Sequence, residues 1–183
     1  MTSFCRSLLI AMTCLAAVAA VAAPVMLQVT QKEGDMEKAI AKFMKDAHDL
    51  DFDIVPDEDG KGGMTLAMEV DAENAPDFGA CIWCVPHALD AQGTLTERMV
   101  VIELFPKMSV PKAKRADVLE VMNKLNDEQN FTHLYIDYDN EVGCRWRTLV
   151  AAEGVAAESI FNAFAGMVSE WEDAQPQIAK ALQ

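Results

Sequence analysis

The segment Cys81-Ile82-Trp83-Cys84-Val85-Pro86-His87 holds the densest reactive chemistry of the chain. A C-x-x-C pair can be a redox couple, a structural bridge, or two metal thiolates with His87 as a third ligand. If the segment is a strand, two residues three apart stand roughly 10 Å from each other and point to opposite faces. That exceeds the ~7 Å Cα separation a disulfide tolerates, so the pair cannot close on itself without a turn. Redox pairs of this type sit at a helix start, and nothing around Cys81 reads as one. The spacing therefore favours structural cysteines, one of them paired across strands with Cys144 as the candidate partner and the other buried. A labile or intermolecular disulfide, a thiol-redox centre and a metal site remain the alternatives. A metal site needs Cys144 or His133 as its fourth ligand. The residues call for no cofactor.

Other clusters carry less chemistry. Arg145 and Arg147 flank Trp146, so on a strand both arginines share one face while the tryptophan takes the other. This gives either a core tryptophan with two surface ion pairs or a small cationic platform for a carboxylate-bearing partner. Asp137-x-Asp139-x-Glu141 has the opening spacing of a calcium loop but lacks its central glycine and distal glutamate, and reads as a solvated acidic turn. The same holds for Asp57-Glu58-Asp59-Gly60. His48 and His133 have no nucleophile at a motif spacing. The chain contains no nucleophile elbow, phosphate loop or H-E-x-x-H.

Residues 1–22 have the features of a cleaved export signal: Arg6, an apolar run from Leu8 to Val21, and the small-x-small pattern Ala20-Val21-Ala22. Cleavage is expected after Ala22, leaving 161 of the 183 residues as one domain and removing Cys5 and Cys14. Three cysteines remain, an odd number, so at least one thiol is unpaired or bridges to another molecule. The chain carries a formal net charge of −14, which repels phosphate backbones and argues against nucleic acid as a partner. Lys107, Lys112, Lys114 and Arg115 read as a solvated patch.

The elements that must position these residues follow from periodicity. Residues 23–34 form a lead without a clear period. A one-faced helix starts at Asp35 and carries Met36, Ile40, Phe43, Ala47 and Leu50. Phe52–Val55 and Met64–Val70 read as paired strands, with Met64, Leu66, Met68 and Val70 on one side. Phe78–Val85 is a further strand, bounded by a loop at Pro86. Thr94–Phe105, with the run Met99-Val100-Val101-Ile102, is expected at the middle of a sheet and covered on both faces. A helix beginning at Ser109 or Val110 presents Val118, Leu119, Met122 and Leu125. Phe131–Tyr138 and Glu141–Leu149 form a hairpin closed at Asp139-Asn140. A last helix carries Ile160, Phe161, Phe164, Met167, Val168 and Trp171 and is expected to weaken or kink at Pro176.

From Val110 to Gln177 the chain resembles the YbjN family of bacterial proteins. The likeness rests on Val118-Leu119-Glu120-Val121-Met122-Asn123-Lys124-Leu125-Asn126 and on Phe131-Thr132-His133-Leu134-Tyr135-Ile136-Asp137. Asp139-Asn140-Glu141, Arg145 and the closing helix through Phe164 and Trp171 extend it. The resemblance implies an α+β domain over residues 35–183, an antiparallel sheet with helices packed on it, similar in fold to type III secretion chaperones and often dimeric. It also implies a regulator of signalling or stress behaviour without a catalytic site. Combined with the export signal, this gives a periplasmic or secreted binding protein whose partner is another envelope protein or a peptide segment. A homodimer is expected, without stable membrane insertion. Arg145 and Arg147 are the candidate binding residues. The rival reading is a thiol-redox or metal-dependent enzyme centred on Cys81, Cys84 and His87.

Overall fold

Alternation along six segments of this chain produces one large antiparallel sheet, and two further short segments pair as a separate two-stranded one. The computed structural model describes residues 23–32, 34–57, 63–73 and 75–183. The expected export signal, and most of the acidic turn after Asp57, lie outside the described residues.

In chain order the elements are β1 (Met26–Leu27), α1 (Asp35–His48), β2 (Asp53–Pro56), β3 (Met64–Val70), β4 (Phe78–Leu89) and β5 (Leu95–Phe105). A 3-10 turn (Lys112–Lys114) leads into α2 (Arg115–Glu128), followed by β6 (His133–Ile136), β7 (Val142–Val150), β8 (Val155–Ala156) and α3 (Ala157–Ala181). Six strands form an antiparallel sheet in the order β2-β3-β4-β5-β7-β6. The fold is therefore α+β, an antiparallel sheet with helices packed on it, as expected.

Residues in register share a face, and the face alternates along each strand. Leu66, Ile82, Ile102 and Trp146 stand in one row across four strands. The first three are fully buried, and Trp146 packs against the same core. All three helices cover this face, contributing Met36, Ile40 and Met44, then Val118, Met122 and Leu125, then Ile160, Phe164, Met167 and Trp171. Each such side chain stabilises the fold by about 1.5–3 kcal/mol on burial. No helix among the described residues covers the opposite face. Met64, Leu66, Met68 and Val70 share the covered face as the alternation required.

Several expectations need correction. Strand β5 is central but covered by helices on one face only. Val101 on the other face is still buried, flanked in register by Trp83 and Arg147. Strand β4 does not stop at Pro86: it runs to Leu89, with register shifts between Pro86 and Ala88 and between Ala88 and Leu89. Its pairing with β3 ends at Trp83, so beyond that point an absent proline N–H leaves no ladder bond on that side unmade. Val110 is buried ahead of α2 rather than opening it, and Leu119 faces solvent. Helix α3 continues through Pro176 to Ala181, with Ala174 and Ile178 buried on either side of the proline. The lead also joins the fold: Met26 and Leu27 pair with Ala156 and Val155, and Val25 accepts the Ala157 N–H at the start of α3.

Candidate functional site

The open face is organised by one row of residues. Ala67, Cys81, Glu103, Arg145 and His133 stand in register across β3, β4, β5, β7 and β6. Glu103 interrupts the apolar run of β5 and is 5% exposed. Arg145 donates to its Oε1 from Nε at 3.1 Å and Nη2 at 2.6 Å, and the Tyr135 hydroxyl donates to the same oxygen. The Arg145 guanidinium also lies 4.9 Å from the centre of the Tyr135 ring. Tyr135 pairs in register with Gly143. A Cβ on Gly143 would collide with the tyrosine ring, so the missing side chain lets that ring cross β7 to reach Glu103. Arg145 is thus pinned by one acid and one aromatic ring.

Two residues along, Arg147 is exposed on the same face, and its side chain has no hydrogen-bond or ion-pair partner among the described residues. The alternation read from Arg145-Trp146-Arg147 holds: the arginines share the open face and Trp146 takes the core side. Arg145 is the one that pairs an acid.

Strand length matters as much as charge here. β7 reaches Val150, but β6 pairs it only from Val142 to Arg145. Among the described residues no strand pairs with the outer edge of Trp146–Val150. At the step between paired and unpaired edge lies a cleft of about 230 Å³ lined by Asn130, Phe131, Thr132, His133, Arg145, Trp146 and Arg147. Its far wall, residues 130–132, is fixed by Glu170 of α3, whose carboxylate accepts the backbone N–H groups of Asn130, Phe131 and Thr132 at 2.7–3.2 Å. Phe131 lies over Gly166, where a Cβ would strike its ring. Sequence reasoning missed Glu103, Glu170 and the cleft. A lone glutamate inside a β-branched run was the available signal for Glu103. Nothing local marks Glu170.

The thiols are distributed, not gathered. Cys81 is on the open face and Cys84 on the covered face, as strand geometry required; the three described cysteines, Cys81, Cys84 and Cys144, are free. Cys84 pairs with Val100 and Cys144 with Leu104, so the two lie two strands and four positions apart. That places them roughly 16 Å from each other at ~4.8 Å per strand and ~3.3 Å per residue. Cys144 and Cys81 occupy opposite faces. The proposed bridge to Cys144 is therefore not formed. His87 is exposed beyond the end of the β3–β4 pairing, 3.9 Å from Glu97. Among the described residues no three of His, Cys, Asp and Glu come together as a metal site. Burial raises all three thiol pKa values, Cys144 well above the usual range. Glu103 adds to the rise at Cys81 and Cys144, and Glu37 to that at Cys84.

The calcium-like spacing forms the hairpin turn: Asp137 Oδ1 accepts the Glu141 N–H at 2.8 Å, and Asn140 takes a left-handed φ of 65°. Of the basic patch, Lys107 pairs with Glu69 and Arg115 donates to Asn140. A larger apolar depression of about 470 Å³ lies between β3 and α3, and its only charged lining groups are the acids Glu69 and Asp71. Among the described residues no helix is long and apolar enough to cross a membrane.

Residues 96–180 match the model of the YbjN family, described as "Putative bacterial sensory transduction regulator". The match covers the resemblance read from Val110 to Gln177 and extends it back into β5. It contains Glu103, Arg145, Arg147, the cleft and Glu170. No curated protein matches the chain.

Proposed function

We propose, from the match of residues 96–180 to the YbjN family model, that this chain is an exported, non-catalytic regulatory protein that acts by protein–protein contact. Its recognition surface is the open sheet face around Arg145 and Arg147, together with the free edge of β7. The observation that carries this reading is the five-residue overhang of β7 past β6, with Arg147 beside it and without a partner among the described residues. An unpaired strand edge presents backbone donors and acceptors that an extended segment can satisfy, and neighbouring side chains then select among segments. Export rests on residues 1–22, and the partner class follows from it: an envelope protein with an accessible extended segment. The homodimer belongs to the same proposal.

The test is site-specific photo-crosslinking in intact cells. A crosslinker at Leu149 should capture a defined partner, and one at Lys42, on the outer side of α1, should not. Equal capture from both positions, or none from Leu149, overturns the contact surface. Mass spectrometry of the recovered chain should show Ala23 as its first residue. An intact leader on cytoplasmic protein overturns export. Light scattering reads the dimer.

A further inference from the structure

Resting on that reading, the geometry points to a narrower ligand: the free C-terminal end of an extended chain, paired antiparallel with Trp146–Val150, its terminal carboxylate in the cleft beside Arg147 and Arg145. The direction follows from register. β6 pairs His133 with Arg145 and Ile136 with Val142. A strand continuing the line of β6 along Trp146–Val150 therefore runs in the same sense as β6. Its first residue lies opposite Val150 and its last opposite Trp146 or Arg147. That last residue abuts residues 130–132, the wall held by Glu170 and Phe131. The wall leaves no path for the ligand to continue in line, so the segment that fits ends there.

What the end of the segment meets is cationic and polar. Arg147 has no partner among the described residues. Arg145 spends Nε and Nη2 on Glu103, which leaves its Nη1 without a hydrogen-bond partner among the described residues. Asn130 and Thr132 also line the cleft, and the buried Thr132 Oγ1 has no hydrogen-bond partner among the described residues. A parallel strand would bring an ammonium terminus against two guanidinium groups, so charge selects the antiparallel sense. The cleft, about 230 Å³, has room for a terminal residue and its carboxylate. Further along the open face the ligand meets Leu149, 47% exposed, which favours an apolar side chain opposite it. A five-residue edge accommodates about five residues at ~3.3 Å each.

The test uses the full chain and an octapeptide array synthesised twice, once with free C-terminal carboxylates and once amidated, with the best binders remeasured by fluorescence anisotropy. Charge-assisted hydrogen bonds contribute ~1.5–3 kcal/mol, so free acids should bind at least about tenfold more tightly than their amides. Arg147→Gln should shrink that ratio several-fold at unchanged melting temperature. Hydrogen exchange should show new protection in the backbone of Trp146–Val150. Equal binding of acids and amides, with protection at that edge, overturns the carboxylate inference and leaves the edge reading standing. Absence of binding in both arrays overturns both.

Discussion

Arg98 and Arg147 sit on adjacent strands, three register steps apart, and live in different solvents. Arg98 is on the covered face, 6% exposed, and donates to the carbonyls of Val29 at 3.2 Å and Gln31 at 2.8 Å. Its charge also acts on Glu37 of α1, which is 1% exposed. Arg147 is exposed and donates to nothing among the described residues. The two buried acids repeat the contrast. Glu103, reached from the open face, is bonded by Arg145 and Tyr135. Glu37 accepts the backbone N–H of Cys84 at 3.1 Å, and its Oε2 has no hydrogen-bond partner among the described residues. Under the helices, then, charges fasten segments of the fold to one another: Arg98 ties down the lead, and Glu37 ties α1 to β4. On the open face one cation is neutralised by its own sheet and the other is left over. Only the second arrangement reserves a group for something outside the fold.

The widest separation between the two faces should appear in thiol reactivity. In native protein a small thiol reagent should label Cys81 first, with Cys84 and Cys144 following only as the fold opens. The slow pair should react on the order of a hundredfold or more later, because opening of a core costs several kcal/mol. Mass spectrometry after timed quenching reads this directly. Rapid, equal labelling of Cys81 and Cys84 would reinstate the redox reading.

Next in size is Arg98→Ala, expected to cost about 3 kcal/mol, since it leaves one buried carbonyl, one half-buried carbonyl and a buried acid without their counterpart. Glu103→Gln should cost about 2 kcal/mol, as it weakens a pair whose arginine stays partly in water. Urea unfolding measures both. If the order reverses, the open face is the more tightly built of the two and the comparison fails.

Those magnitudes also show what was readable in advance. Which residues share a face is a property of one strand, so Trp146 opposite Arg145 and Arg147, and Cys81 opposite Cys84, were legible from alternation. Where a strand stops pairing is decided by a distant segment. Nothing in Trp146–Val150 itself says that β6 ends at His133, because that end is set by Glu170 on a helix that starts later in the chain. The lead looked structureless for a similar reason: two residues paired with Val155 and Ala156 leave no local period. Nothing in the sequence marked Glu37 as buried, since a helical wheel cannot show that β4 lies against it. The site was half visible, its cations in the sequence and its cleft only in the assembly.

A smaller effect belongs to Glu37 and depends on pH. Burial raises its pKa above the ordinary 4.5, against the lowering effect of the bonds from its own and the Cys84 backbone. An acid that is harder to ionise when folded favours the folded state while protonated. That contribution is fully present below the unfolded value and is lost as pH rises through the raised folded value. Glu37→Gln cannot ionise, so its melting temperature relative to wild type should climb as pH increases from about 4.5. The difference between the two proteins removes the background repulsion of the other acids. A flat difference would mean that Glu37 is solvated or paired, and the covered face would lose its orphaned charge.

Smallest of all should be Arg147→Gln, with a change in unfolding free energy within about 0.5 kcal/mol, as for surface positions without structural partners. Two opposed effects enter. The substitution makes an acidic protein one charge more negative, and it relieves the repulsion between Arg147 and Arg145. Both act through water and are screened by salt. A loss above about 1 kcal/mol would place Arg147 among groups that the fold itself requires, as Arg98 is. The overhanging edge of β7 would then have no charge to spare for a partner. A silent substitution in the unfolding experiment, together with lost binding of free-acid peptides, is the combination that separates a recognition residue from a structural one.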